Sequence, residues 1–253
     1  MEEVDILKIE GVSYESDRRG SLYDISFSIK RGEFVVIFGP EDSGIELICP
    51  LIAGIVEKFE GDIYYEDKSI KTFDYIEKHI YKKKLGYLQR GYGLINNMSM
   101  EANISLPLKY HSQLSNLEIN DIVEKYIKEM NLDHCRGLRP IDLSNSEALK
   151  IAYARSIALD PDLLLIEHPF EGQCLINSQT FINSLKRYST CLKKSVIFIT
   201  YEPQYFIDLS HTFIMFYDGR IVFAGSKNEF RIAENRYLSQ YLQASCEGPM
   251  NIL

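Results

Sequence analysis

The first residues with chemical meaning follow a short apolar run, Phe34-Val35-Val36-Ile37-Phe38. Gly39 comes next, and Gly44 stands at the second glycine of the pattern GxxxxGK[ST]. Between a strand and a helix, such a loop aims backbone N–H groups at phosphates. Its Lys neutralises them and its Ser or Thr holds Mg²⁺. Here the Lys position is Ile45 and the hydroxyl position is Glu46, while Glu41 and Asp42 add two more carboxylates. One carboxylate about 5 Å from a phosphate charge repels it by roughly 3 kcal/mol at an effective dielectric of 20. The missing Lys attraction is of similar size, so affinity for a triphosphate is expected to fall roughly a thousandfold or more. Two readings of the acidic loop are open. Glu41, Asp42 and Glu46 can form a solvated face, favoured by the N-terminal dipole of the following helix. Alternatively, one of them occupies the phosphate position and pairs with a cation such as Arg90. His134 and Cys135 are adjacent but isolated in sequence, without metal-ligand spacing. Cys49, Cys135, Cys174, Cys191 and Cys246 are scattered with no CxxC, which reads as reduced thiols used mostly in packing.

The elements that must position these residues are legible in outline. Residues 4–30 alternate, with Ile25, Phe27 and Ile29 on one face, and predict an antiparallel β subdomain. The runs at 34–38, Leu163–Ile166 and Val196–Ile199 are continuously apolar, as strands covered on both faces are. Apolar positions through Leu47, Ile48, Leu51 and Ile52 predict a helix after the loop. Residues 117–130 repeat at three and four through Ile119, Ile122, Val123, Tyr126, Ile127 and Met130, an amphipathic helix. Two more helices are predicted over 146–158, capped by Ser144 or Asn145, and over 177–192. Asp218-Gly219 between two apolar runs predicts a hairpin. Strands alternating with helices give a three-layer α/β core.

The order of these pieces resembles the nucleotide-binding subunit of ABC transporters. The resemblance rests on the Gly39–Leu47 loop, Leu143-Ser144-Asn145-Ser146-Glu147, and the stretch from Ala154 to Pro169 (ARSIALDPDLLLIEHP). Within that family, Pro169-Phe170-Glu171-Gly172-Gln173, Pro107–His111 and the Glu247-Gly248-Pro249 tail look like the Mla/Mce-type phospholipid transport ATPases. The resemblance implies an ABC-type P-loop NTPase fold over residues 1–236, with a helical subdomain inserted at about 90–158 and a C-terminal tail at 237–253. It also assigns roles, most of which this sequence departs from. Asp42 replaces a loop glycine. Glu167 replaces the Walker B Asp, one methylene longer. His168 stands at the catalytic carboxylate, Tyr201 at the switch His and Cys174 at the D-loop carboxylate. The signature loop keeps Ser144 but exchanges both glycines for Asn145 and Ser146, narrowing the available backbone geometry. Tyr14 lies where the family stacks adenine. Gln89, in LGYLQ, keeps the Q-loop position. Read as residues, His168 is a structural filler, Tyr201 packing and Tyr14 an ordinary aromatic, since a phenol titrating near pH 10 cannot replace an imidazole.

The chain has 253 residues and a net charge of −8, an acidic balance that argues against nucleic acid as a partner. The N-terminus is acidic and without an apolar segment, unlike a secretory signal. No run is long enough for a bilayer span. The expectation is therefore a catalytically degenerate cassette with no cofactor on its own Walker site. The resemblance leaves a place for ATP and Mg²⁺ at a composite site with a partner subunit. It also supplies the partners: an ABC permease, a second ATPase subunit in a hetero- or homodimer, and an MCE-type lipid-binding protein, at the cytoplasmic face of a bacterial inner membrane. Two alternatives stand beside it, an active but divergent transport ATPase and a soluble scaffold outside transport.

Overall fold

A computed structural model describes residues 5–15, 20–192 and 194–251. The acidic start at 1–4, the last two residues of the expected tail and the Cys191 side chain lie outside the described residues. The chain begins with antiparallel strands β1 (Asp5–Glu15) and β2 (Ser21–Lys30), followed by β3 (Phe34–Phe38), the short helix α1 (Ile48–Ile52), β4 (Glu60–Tyr65) and β5 (Lys68–Ser69). Helix α2 (Tyr75–Lys84) runs directly into β6 (Leu85–Leu88). Three helices then intervene, α3 (Met100–His111), α4 (Asn116–Glu129) and α5 (Asn145–Ile157), before β7 (Leu163–Glu167). Helix α6 (Leu175–Leu192) leads to β8 (Ser195–Thr200), the hairpin β9 (Thr212–Tyr217) and β10 (Arg220–Ser226), and helices α7 (Lys227–Ile232) and α8 (Arg236–Leu242).

The strands form two sheets. β2-β1-β4-β5 is antiparallel, and β10-β9-β3-β8-β7-β6 is parallel except for β10 at its edge. Every residue of β3, β7 and β8 is buried. Period-two alternation sends their side chains into two cores. Phe34, Val36, Phe38, Leu164, Ile166 and Phe198 pack with α3, α4, α5 and α6 on one face. Val35, Ile37, Leu165, Ile197 and Ile199 pack with α1 and the antiparallel sheet on the other. In α4, Ile119, Val123 and Ile127 are buried, as the three-and-four spacing predicts. Four helices open on the same reciprocal cap. Asp74, Ser115, Ser144 and Ser226 each accept from the backbone N–H three residues on, and the Glu there reaches back.

The segment from 237 on is not a free tail over its described part. Most of α8 falls in it, Leu238 and Met250 are buried, and the Gln240 amide bonds both backbone groups of Met250. Periodicity stops after Leu242 because this stretch docks through one isolated anchor rather than a face. Among the described residues no helix is long and apolar enough to cross a membrane.

Candidate functional site

Strands β3, β8, β7 and β6 are neighbours, so their carboxyl ends bring Gly39, Tyr201, Glu167-His168 and Gln89-Arg90 to one edge of the sheet. Open parallel sheets place ligands at this edge. Gly39 and Gly44 are fixed there by close backbone approach. A Cβ on Gly39 would lie 2.3 Å from the Phe216 carbonyl oxygen, and one on Gly44, whose φ is 92°, would lie 2.6 Å from that of Ser21. Beyond Gly44 the expected strand–loop–helix order is present, with a short helix. Residues 45–47 form a 3₁₀ turn and α1 has only five residues, stopping before Gly54 at φ 65°. So short a helix has little dipole to offer an anion. Ile45 is fully buried, in the same apolar cluster as Ile37, Ile48 and Phe216. The Ser43 hydroxyl is buried without a partner.

Of the two readings of the acidic loop, the structure divides the first and corrects the second. Glu41 and Asp42 are exposed. Glu46 is half-buried and accepts a hydrogen bond from the Tyr201 hydroxyl at 2.5 Å. Arg90 does not serve any of the three. Its guanidinium donates through Nε and Nη2 to both oxygens of Glu171, at 2.8 and 2.7 Å, and lies over the Tyr201 ring. Coulomb attraction and hydrogen bonding favoured this bidentate carboxylate over a loop acid.

At the end of β7, Glu167 is buried and turned inward. One oxygen accepts from the Tyr87 hydroxyl at 2.8 Å and the other from the Arg90 backbone N–H at 3.1 Å. The buried Cys49 thiol interacts electrostatically with it. Burial raises its pKa above the usual carboxylate value, and these donors partly offset the rise. The same burial raises the Cys49 thiol well above its ordinary range. His168 follows with φ 42° and its backbone N–H on the Ile199 carbonyl. Its ring lies 4.3 Å from that of Tyr201, its Nε2 is buried without a partner, and burial together with Arg90 lowers its pKa to about 4. The imidazole is therefore neutral at pH 7. Burial, with Glu46 beside it, raises the Tyr201 phenol, which stays protonated. The Tyr201 carbonyl accepts from the Tyr241 hydroxyl at 2.6 Å, and the same hydroxyl reaches the Gly39 carbonyl at 3.1 Å.

The remaining sequence candidates are more dispersed. Gln89 is exposed, and its carbonyl accepts from Tyr92 N–H in the turn after β6. Ser144 is exposed and engaged as the cap of α5, with its hydroxyl on the Glu147 carboxylate at 2.8 Å. Cys174 is exposed at the start of α6, while Cys49 and Cys135 are buried and Cys246 is exposed. Tyr14 is half-buried in β1 and lines a groove with Leu22, Tyr23 and Phe59, to which no residue of the 39–47 loop contributes among those described. Sequence reasoning missed Tyr87, Glu171 and Tyr241. The first two sit inside motifs it had quoted. Tyr241 carried no signal, since its partners are reached only through the fold.

Comparison with known proteins agrees with this arrangement. The family described as ABC transporter matches residues 22–171. The intermembrane phospholipid transport system ATP-binding protein MlaF of Haemophilus influenzae is 23% identical over 246 residues, covering 97% of this chain and 93% of that protein. The molybdate/tungstate import ATP-binding protein WtpC of Thermococcus kodakarensis is 29% identical over 224 residues, covering 88% and 66%. Among solved structures, the dimeric post-hydrolysis state of the ATP-binding cassette MJ0796 bound to ADP and Pi aligns with a TM-score of 0.79 at 22% identity, over 87% of this chain and 98% of that one. Loop glycines, strand order and a family match over more than half of the residues coincide, and the chain belongs to the ABC transporter family.

Proposed function

We propose that this chain is a cassette subunit retained for assembly and no longer competent to bind Mg-ATP on its own loop. The hydrogen bond from Tyr201 to Glu46 carries the reading. It fills the mouth of the loop with a carboxylate and a protonated phenol, where a triphosphate needs cations. Three further features support it. Ile45 is sealed into the apolar core, Glu167 is occupied as an acceptor by Tyr87 and Arg90, and His168 is neutral. The residues present do not fit a magnesium triphosphate.

By its likeness to MlaF proteins, the chain is assigned to a Mla/Mce-like phospholipid transporter, seated under a permease on the cytoplasmic side of a bacterial inner membrane, with an MCE-type protein in the complex. A groove of about 440 Å³ supports a docking role. Leu85, Tyr87, Leu106, Pro107 and Tyr110 line it, and Tyr87 lies two residues before Gln89. Tyr110 is 75% exposed there and extends the apolar lining of the groove to the surface. The second subunit of the pair is proposed to be a competent ATPase, whose lysine would face the Ser144 loop. A homodimer would have no working site.

Calorimetric titration of Mg-ATP into the chain by itself tests the site. The expected result is no saturable heat at sub-millimolar nucleotide, and a micromolar Kd overturns the reading. Affinity purification from detergent-solubilised membranes tests the assembly. Recovery of a polytopic membrane protein and a second cassette is expected, and a wholly soluble partner set overturns the docking role.

A further inference from the structure

His134 and Cys135 are brought by the fold to a third ligand that their sequence neighbourhood does not contain. They occupy a 3₁₀ turn (Asp133–Cys135) after α4, closed by the Cys135 N–H on the Leu132 carbonyl. Glu147 stands opposite, in the first turn of α5. Nε2 of His134 is 2.7 Å from Oε1 of Glu147, and the Cys135 thiol stands beside the same carboxylate. One donor atom from each of the three lies within 4.8 Å of the others. The remaining oxygen, Oε2, is taken by the backbone N–H and hydroxyl of Ser144, so the carboxylate is held in place with Oε1 directed into the cluster. Cys135 is buried, Glu147 is partly buried and the His134 side chain is 63% exposed, which leaves one side open to solvent.

We propose that His134, Cys135 and Glu147 bind a zinc-class divalent cation, with water as the fourth ligand. Imidazole, thiolate and carboxylate together form a borderline-soft set suited to tetrahedral Zn²⁺. Bonds of about 2.0 to 2.3 Å place tetrahedral ligands roughly 3.2 to 3.8 Å apart, so the His134–Glu147 contact opens by about half an ångström and the thiol closes in. The ion displaces the thiol proton to solvent, and the imidazole proton moves to Nδ1 of His134, leaving Nε2 free to ligate. Burial and the Glu147 carboxylate push the Cys135 thiol up, with Lys150 opposing them in part, so the thiolate forms only as the ion binds, and Arg136 is already engaged by Glu124 and Asp133. Neither the transport reading nor the state of the 39–47 loop bears on this site. Occupancy would tie the turn at 133–135 to the start of α5, beside the Ser144 loop.

The test uses the full chain, reduced and metal-free, titrated with Co²⁺ as a spectroscopic probe. The expected result is one equivalent bound in tetrahedral geometry with a thiolate-to-cobalt charge-transfer band, displaced by Zn²⁺. The band should persist when Cys174, Cys191 and Cys246 are all changed to Ser, and vanish in Cys135→Ser. His134→Ala, at an exposed position, should weaken affinity by well over about tenfold, the least that loss of even an outer-shell partner costs. Absence of the band at stoichiometric Co²⁺, its loss when Cys174, Cys191 and Cys246 are changed, or its survival in Cys135→Ser overturns the proposal and leaves the cluster as a hydrogen-bonded brace of the α5 cap.

Discussion

His168 holds a side chain where a charge is costly. Its ring is buried against Tyr201, and its pKa is lowered to about 4 from an unfolded value of about 6.5. A base whose folded pKa is depressed binds its proton more readily when unfolded. The stability tied to neutral His168 is therefore complete above about pH 6.5 and is lost as pH falls towards 4, a total of about 3 kcal/mol. His168→Asn tolerates the positive φ and cannot titrate. Urea midpoints measured from pH 7.5 to 4.5 are expected to fall more steeply for the native chain than for the variant, and parallel curves would contradict the assignment. What the sequence revealed at this scale was identity without environment. Glu167 and His168 were found from their neighbours, but the Tyr87 hydroxyl and Arg90 N–H that turn Glu167 inward arrive from β6 and the turn after it.

At the scale of elements, β8 and the 3₁₀ turn at 45–47 are joined by one side-chain hydrogen bond, Tyr201 to Glu46, across 155 residues. Bonds to ionised acceptors contribute about 1.5 to 3 kcal/mol when well shielded, and the half-exposed Glu46 places this one near the lower end. Tyr201→Phe keeps the ring packing against His168 and removes only the hydroxyl. Chemical denaturation should show a loss of about 1 to 2 kcal/mol, and an unchanged midpoint would remove the bond from the loop's support. The apolar strands and the amphipathic α4 were readable because one-sided or two-sided burial imposes a period on the sequence. Helix α1 was legible from its apolar spacing to within a residue, but that spacing does not reveal the 3₁₀ turn at 45–47 that precedes it. The Ser-x-x-Glu pattern at 144–147 marks an N-terminus by local chemistry and was legible to within a residue.

Across the whole molecule, the C-terminal stretch closes over the strand edge. Met250 is 3% exposed and bonded through both backbone groups to Gln240. Ending the chain after Leu242 removes this anchor and uncovers apolar surface. A buried Met contributes about 2 kcal/mol, and for a domain of this size 1 kcal/mol shifts Tm by about 2 to 4 °C. A drop of several degrees in a thermal melt is expected, and a melt matching the full chain would show the segment to be dispensable. The sequence could not announce this closure, because it is made by isolated contacts, Met250 in the core and the Tyr241 hydroxyl on the Gly39 carbonyl 202 residues away. Contact of that kind leaves no period and no motif.

The Tyr241 phenol grips two main-chain oxygens, one leaving β3 and one leaving β8. A covalently attached clasp cannot diffuse away. Where a dissociable ligand orders a loop, the order gained rises with the logarithm of its concentration. Here the clasp is supplied at fixed stoichiometry by the chain itself, so its own contribution to the order of this edge does not vary with concentration.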